Sequence, residues 1–154
     1  MTGLRAGAVL ALVACVGAGV NGCSDDNNPS SAASKAASYA SQAGQALASA
    51  TAEAGRRLEK VRNGVDARDA VRLGTPATAS DGRTTVGVTA GNKADSTKSF
   101  AVQVNFTDAG GHLLDTVVVT VSDVRAGASG KATARSTRKL AGTVKAELGT
   151  ALRY

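Results

Sequence analysis

Aromatic residues are scarce in this chain, and so are cysteine and histidine. Among the 154 residues there is no Trp, and there are two Phe, two Tyr, two Cys and one His. Single-stranded nucleic acids bind to proteins largely by stacking their bases on aromatic rings, so we expect no nucleic-acid partner. Two cysteines permit at most one disulfide, and one histidine excludes metal sites built from several histidines.

The one long apolar run lies at the N-terminus. Arg5 precedes the apolar residues 6–20, and small and polar residues follow up to Cys23. A positive flank, a short apolar core and small residues before a cleavage point are typical of a secretory signal peptide. The run has 15 residues, three of them glycine, whereas a membrane-spanning helix needs about 20 apolar residues. We therefore predict a cleaved signal peptide over residues 1–22 and no transmembrane anchor.

A cysteine at the predicted cleavage point makes this segment resemble the signal of a bacterial lipoprotein. The resemblance implies that Cys23 becomes the first residue of the mature chain and carries a thioether-linked diacylglycerol. Each buried methylene contributes about 0.8 kcal/mol, so two acyl chains anchor a protein stably where one holds it weakly. We expect a protein that is lipid-anchored to the bacterial cell membrane on its extracytoplasmic side.

Cys15 is the alternative lipidation site. Residues 12–15 (LVAC) follow the aliphatic, small, small, Cys pattern of the lipoprotein family more closely than the residues before Cys23, where Asn21 departs from it. Cleavage before Cys15 would leave an apolar core of about seven residues, at the lower end for a signal. Cleavage before Cys23 exposes the polar residues 24–30, which we predict to form a flexible leader. It also leaves no thiol for a disulfide, a nucleophile or a metal ligand.

Residues 31–64 form an alanine-rich segment. Of residues 31–55, 11 are Ala and five are Ser; Ala favours the helix strongly and Ser weakens it. Steps of three and four, a heptad-like spacing, relate Ala33, Ala36, Ala40, Ala43, Leu47, Ala50 and Ala54. We predict a helical spacer that ends after the basic residues 56–62, at Asn63-Gly64. The alternative is a self-associating helix, although Ala side chains bury little area.

After Gly64 the apolar spacing changes from helical to alternating. Residues 99–107 show this best, because every second side chain is large and apolar, as in a half-buried strand. The side chains of its apolar face are those of Phe100, Val102, Val104 and Phe106. A glycine turn at 108–111 and a returning strand at 113–121 predict a β-hairpin. The alternation of the returning strand begins only after Thr116, which predicts a bulge near Leu114 and Asp115.

Similar alternations recur elsewhere after Gly64. They lie at residues 70–75, 84–90, 130–135 and 143–152. Six strands divided by glycine-containing turns are typical of a β-sandwich. The predicted core consists of Val71, Leu73, Val86, Val88, Phe100, Val102, Val104, Phe106, Leu113, Val117, Val119, Val121, Val144 and Leu148.

The segment 104–111 (VNFTDAGG), the strand after it, the turn 124–127 (VRAG) and a further alternating strand resemble the FxLYD group of immunoglobulin-like domains. In that group a β-branched strand ends in an Asp-x-Gly turn, and a later Pro-Gly or Ala-Gly turn leads into the next strand. Val104, Phe106, Thr107 and Asp108 occupy the places of its Phe, Leu, Tyr and Asp. The resemblance covers about residues 71–154. It implies a mainly β fold over residues 65–154, a small immunoglobulin-like antiparallel β-sandwich of six or seven strands, and no activity by itself.

No arrangement of residues in the sequence predicts catalysis. His112 stands beside a Gly-Gly turn, where we expect a solvated loop residue and no general base. The aspartates Asp81, Asp95, Asp108, Asp115 and Asp123 fall mostly at predicted turns, where Asp side chains bond the turn backbone. A shared Ca²⁺ site is the alternative, but no Asp-x-Asp-x-Asp-Gly loop is present, nor is a GxxxxGK[ST] phosphate loop. We predict no enzyme, no cofactor and no metal.

The positive charge is concentrated at the C-terminus. The whole chain carries +6, and residues 125–154 have seven Lys or Arg against Glu147 alone. Several of these cations alternate with inward-facing residues and could share one exposed face; the candidates are Lys131, Arg135, Arg138, Lys139, Lys145 and Arg153. Such a face would bind anionic envelope polymers or lipid headgroups in a salt-dependent way. The alternative role of the charge is solubility.

These features predict a membrane-anchored extracytoplasmic lipoprotein that presents a non-catalytic immunoglobulin-like interaction module. Its partner would be another envelope protein or a polymer, and the sequence does not identify it. The alternative is a structural or cell-wall-associated spacer lipoprotein that binds anionic envelope polymers. In that case deletion of residues 31–55 would matter more than mutation of the sandwich.

Overall fold

The computed structural model describes the backbone of residues 29–154 and the side chains of residues 40–154. The predicted signal peptide, Cys15 and Cys23 lie outside the described residues. The described elements are α1 (Pro29–Glu59), β1 (Val65–Asp66), a 3-10 turn (Arg68–Ala70), β2 (Val71–Leu73), β3 (Ala77–Thr78), β4 (Arg83–Gly91), β5 (Lys98–Thr107), β6 (Leu113–Val124), β7 (Ser129–Lys139) and β8 (Lys145–Arg153).

The eight strands form two sheets, and every pairing is antiparallel. Sheet A has the order β1-β8-β5-β6, and in sheet B the central strand β4 pairs with β7 on one side and with β2 and β3 on the other. The prediction of a mainly β fold is confirmed. The strand number is eight instead of six or seven, because β1 and β3 have two residues each and are too short to show an alternating pattern.

The β5–β6 hairpin has the predicted bulge. Phe106 pairs with Asp115 and Thr107 pairs with Leu113, so Leu114 is the extra residue on β6. In the turn, the Gly111 N–H donates to the Asp108 carbonyl at 3.1 Å. Gly111 has a φ of 86°, which glycine adopts without steric cost.

The two sheets share one apolar core. Eight of the predicted core residues are buried: Val71, Val86, Val88, Phe100, Val102, Val104, Phe106 and Val121. Five others are partly buried against them, namely Leu73, Val117, Val119, Val144 and Leu148. The prediction for Leu113 was wrong, because it begins β6 next to the turn and stays 38% exposed. Alanines complete the core: Ala67, Ala90, Ala134 and Ala151 are buried.

The end of helix α1 packs on the outer face of sheet A. Ala54, Ala101 and Val118 form a second buried cluster, with Leu58 and Val61 packed against it. Over residues 40–49 no helix side chain is buried. The predicted spacer is therefore part of the domain from Ala50 onward, because the outward-facing Val118 and Ala101 give the alanine face an apolar surface to cover.

The helix differs from the prediction at both ends. It begins at Pro29, inside the predicted leader, because proline is well suited to the first helical position, where its missing N–H costs no hydrogen bond. It ends at Glu59, and the turn that follows is closed by the Gly64 N–H, which donates to the Val61 carbonyl at 2.8 Å.

Polar contacts add to the docking of α1. The Arg57 Nη1 donates to the Val118 carbonyl at 3.3 Å, and Glu53 accepts hydrogen bonds from Arg57 Nε at 2.9 Å and from Arg56 Nη2 at 2.8 Å. These hydrogen bonds lower the pKa of Glu53 to about 2, and the bond from Arg57 has the largest effect. Glu53 thus holds the guanidinium that bonds β6.

The depressed pKa of Glu53 predicts a pH dependence. A carboxyl whose folded pKa lies below its unfolded value stabilises the folded state above the unfolded pKa, and this contribution is lost as the pH falls through the folded pKa. We expect thermal stability to decline from about pH 4.5 to about pH 2, and Glu53→Gln to make this decline less steep. Thermal unfolding monitored by circular dichroism across this pH range checks it. An unchanged slope in the variant would contradict the assignment.

Candidate functional site

The two sheets carry opposite charge. The strands of sheet B contain no Asp or Glu and six cations: Arg72, Arg83, Lys131, Arg135, Arg138 and Lys139. The strands of sheet A contain three cations, Lys98, Lys145 and Arg153, and four acids, Asp66, Asp115, Asp123 and Glu147. Because side chains alternate across a strand, the cations of sheet B are displayed on the face away from the core, with one exception described below.

Strand pairing brings cations from different parts of the chain together on this face. Arg72 of β2, Thr89 of β4 and Lys131 of β7 lie in one row across the sheet. Near the opposite end, Arg83 pairs with Lys139. We call the outward side chains of Arg72, Arg83, Lys131, Arg135 and Lys139 the basic face.

The basic face has two charged ends. The Lys131 end consists of Arg72 and Lys131, and the Lys139 end consists of Arg83, Arg135 and Lys139. Thr89, beside Lys131, lies six positions from Arg83 along β4, which corresponds to about 20 Å at the usual rise of a strand. The row between Lys131 and Arg135 is formed by Gly87 and its partner Thr133, so no large side chain rises from the middle of the face.

One carboxylate lies at the Lys139 end. Asp81 precedes β4; its Oδ1 accepts the Arg83 N–H at 3.2 Å, and its Oδ2 bonds the Arg135 guanidinium. The Arg83 backbone bond, and after it the Arg135 side chain, lowers the pKa of Asp81. Asp81 fixes Arg135 in place and balances one of the five cations, which leaves the basic face with an excess of four positive charges.

The six candidate cations from the sequence do not share one face. Lys131, Arg135 and Lys139 lie on the basic face. Arg138 is the exception among the sheet B cations, because it lies on the core side of β7, where its Nη2 donates to the Leu114 carbonyl of β6 and its Nε is buried without a partner.

The other two candidates belong to sheet A. Lys145 donates to the Ala109 carbonyl at 3.3 Å, and Arg153 pairs with Phe100 and Val65 at the end of β8. The sequence pattern did not reveal Arg72 and Arg83 as members of the site. Only the register of β2 and β4 brings them beside β7, and no local pattern encodes that register.

The turn residues behave largely as predicted. The side chain of His112 is 82% exposed, and its Nδ1 lies 3.0 Å from Asp108 Oδ2. Asp108 Oδ1 accepts the His112 backbone N–H at 2.9 Å, and this bond is the main reason that the pKa of Asp108 is lowered. His112 is a solvated loop residue held by its turn.

Asp115 contradicts the expectation of turn aspartates. It lies inside β6 and is fully buried. Its carboxylate accepts the Thr137 N–H at 2.6 Å, the Thr137 hydroxyl at 2.9 Å and the Thr116 N–H at 2.9 Å. Since β6 and β7 are edge strands of different sheets, Asp115 joins the two sheet edges and has a structural role.

A groove of about 370 Å³ lies between α1, β6 and β7. Ala50, Glu53, Ala54 and Arg57 line it from α1, residues 116–119 from β6, and Thr133, Ser136 and Thr137 from β7. Arg83 and Arg135 also line it, so the groove borders the Lys139 end of the basic face. Among the described side chains that line it, Glu53 has the only carboxylate, which is bonded to two arginines. The described lining of the groove therefore contains no acid and base pair placed for proton transfer.

The described residues contain no group of three or more His, Cys, Asp or Glu side chains arranged to hold a metal ion. No helix between residues 29 and 154 is both long and apolar enough to cross a bilayer. Compared with known proteins, the chain matches no protein-family model, no curated protein and no solved structure.

Proposed function

We propose that this protein is a lipid-anchored, extracytoplasmic lipoprotein of the bacterial cell envelope whose β-sandwich is a non-catalytic interaction module of immunoglobulin-like type. The separation of charge between the two sheets carries the proposal. The protein's own helix packs on one sheet, and the other presents a face with an excess of four positive charges, of which only the Arg83 and Arg135 side chains border the groove beside the helix. A face of that kind is suited to binding an anionic partner.

The N-terminal sequence supports the anchoring part of the proposal. A short apolar segment followed by Cys23 resembles a lipoprotein signal, and an acylated cysteine would tether the helix and the sandwich to the membrane surface. The two face-to-face antiparallel sheets support the immunoglobulin-like part, together with the FxLYD resemblance. The absence of a proton-transfer pair in the described groove supports a binding role over catalysis.

Mass spectrometry of the protein isolated from membranes tests the anchor. We expect a mature N-terminus at Cys23 that carries a diacylglycerol. Cys23→Ala should release the protein from the membrane fraction, and Cys15→Ala should not. The opposite result would move the lipidation site to Cys15, and an unmodified N-terminus would contradict the anchor.

Affinity capture from detergent-solubilised membranes tests the module. The Lys131→Glu, Lys139→Glu double variant reverses two cations of the basic face, and we expect it to lose at least tenfold of the copurifying envelope component. The control is the Lys98→Glu, Lys145→Glu double variant, which changes the net charge equally but alters strands of sheet A. Equal losses in both variants would contradict a specific binding face.

A spacer lipoprotein is the second candidate, and the length of α1 favours it. The helix has 31 residues, about 46 Å at 1.5 Å per residue, and its side chains over residues 40–49 are not buried. Deleting the seven residues 41–47 shortens it by about two turns and keeps Ala50 and Ala54 docked. If the spacer is the function, this deletion reduces cell-wall association more than the basic-face double variant does.

A further inference from the structure

We propose that the basic face binds one linear polyanion, which lies along β4 and β7 and contacts the Lys131 end and the Lys139 end at the same time. The inference rests on the proposed function, since it names the ligand class of the same surface. The chemistry it requires is a flexible chain with repeated phosphate or similar anionic groups.

The shape of the basic face carries the argument. Its two charged ends together span about 20 Å along β4, and no large side chain rises between them because Gly87 has no side chain and its partner Thr133 has a short one. Nothing lies within 4 Å of the position that a Cβ of Gly87 would occupy. A shallow depression of about 230 Å³, lined by Gly87, Thr89, Lys131 and Thr133, begins at the Lys131 end. A polymer can therefore run from one end to the other without meeting a large side chain.

Neither end alone is built to hold a small anion tightly. The Arg72 guanidinium donates to the Asp69 and Val71 carbonyls at 3.1 and 3.0 Å, and that of Arg135 is bonded to Asp81. Exposed ion pairs contribute only about 0.2–1 kcal/mol each. A chain that reaches both ends makes its second contact intramolecularly, at an effective concentration in the millimolar range for a short flexible linker. Length therefore adds affinity that the separate ends lack.

A lipid bilayer fits this face less well than a polymer. Proteins that lie on membranes combine basic residues with large apolar or aromatic side chains that enter the interface. Within the described part of the chain the exposed large hydrophobic residues are Val65, Leu113 and Tyr154. None of the three belongs to a strand of sheet B, so the basic face offers charge without an apolar anchor.

Calorimetric titration of the purified full chain in non-ionic detergent tests the inference, with inorganic triphosphate and long-chain inorganic polyphosphate as probes. We expect polyphosphate to bind at least tenfold more tightly than triphosphate. Lys131→Glu and Lys139→Glu, made separately at opposite ends, should each remove that advantage while leaving triphosphate affinity within about threefold. Each should also flatten the slope of log affinity against log salt by roughly 0.7 for every phosphate that the altered side chain no longer neutralises.

Lys145→Glu is the matched control, since it changes the net charge equally on sheet A, and it should bind polyphosphate like the unaltered chain. An equal loss in Lys145→Glu would show that net charge alone is responsible and would overturn the inference. So would equal affinities for the two phosphates, or tighter binding to phosphatidylglycerol vesicles than to polyphosphate. If polyphosphate does not bind more tightly than triphosphate but the basic-face double variant still loses its copurifying envelope component, the proposed interaction module is retained and the linear polyanion is rejected as its ligand.

Discussion

Replacing Val104 with Asp is expected to leave the β-sandwich unfolded. Val104 is completely buried in β5, where it pairs with Val117 of β6 and Leu148 of β8. An isolated carboxylate in such a core has no partner, and the penalty for burying one ion is several kcal/mol. Domains of this size are stable by about 5–15 kcal/mol in total, and the loss of apolar packing adds to the penalty.

Val65→Asp is the matched control, because it makes the same chemical change on a strand of the same sheet where the side chain is 59% exposed. We expect its free energy of unfolding to stay within about 0.5 kcal/mol of the unaltered chain. Far-ultraviolet circular dichroism and urea denaturation distinguish the two. A cooperative transition in Val104→Asp at the original midpoint would refute the core assignment.

Asp115→Ala is expected to lower the free energy of unfolding by about 1–3 kcal/mol, the cost of leaving a buried donor unsatisfied, because Thr116 is buried whereas Thr137 is exposed to water. The substitution removes the carboxylate that accepts the Thr137 N–H, the Thr137 hydroxyl and the Thr116 N–H. The edges of the two sheets lose their connection at this point.

Asp115→Asn should be intermediate, because one carbonyl oxygen can still accept a hydrogen bond while the amide group faces donors. Asp95→Ala, in an exposed loop, serves as control and should change stability by less than about 0.5 kcal/mol. Urea denaturation gives the free energies of unfolding, and amide hydrogen exchange at Thr137 reports local opening between the edges of β6 and β7. Wild-type protection of Thr137 in Asp115→Ala would rule out the proposed role of the carboxylate.

The strands with a long alternating pattern could be predicted from the sequence, and the ones without it could not. Residues 99–107 were predicted with bounds within one residue of β5. Every second side chain of this strand faces the core and must be apolar, so the burial is visible in the sequence as alternation. The bulge at Leu114 could also be predicted, because the extra residue interrupts this alternation. The two-residue strands β1 and β3 exist only because β8 and β4 offer them an edge to pair with.

The helix was predictable as a helix and unpredictable as a packing element. Its alanine stripe indicated one apolar face but no partner for it. The partner is Val118, an outward-facing residue of β6 beside Ala101. In the sequence Val118 is an apolar residue between Val117 and Val119, at a position where the alternation of the strand calls for a polar side chain. That departure was the signal that something covers the outer face of sheet A.

About half of the candidate site could be predicted from the sequence. Lys131, Arg135 and Lys139 alternate along one strand, so their common face follows from the pleat alone. Arg72 and Arg83 join them only through the register of neighbouring strands. Lys145 and Arg153 lie on β8, which belongs to sheet A, and consecutive strands in a sandwich need not share a sheet.

The amino-acid sequence by itself determined the helix, the six longer strands, the hairpin with its bulge and most of the core, because each depends on a local period that a pleat or a helical turn imposes. Tertiary structure alone decided which strands share a sheet, what the alanine face covers, and that Asp115 joins two sheet edges. It also separated the charges into a basic face on sheet B. These outcomes depend on pairing between residues far apart in the chain, and the local spacing of residues does not determine which distant strands pair.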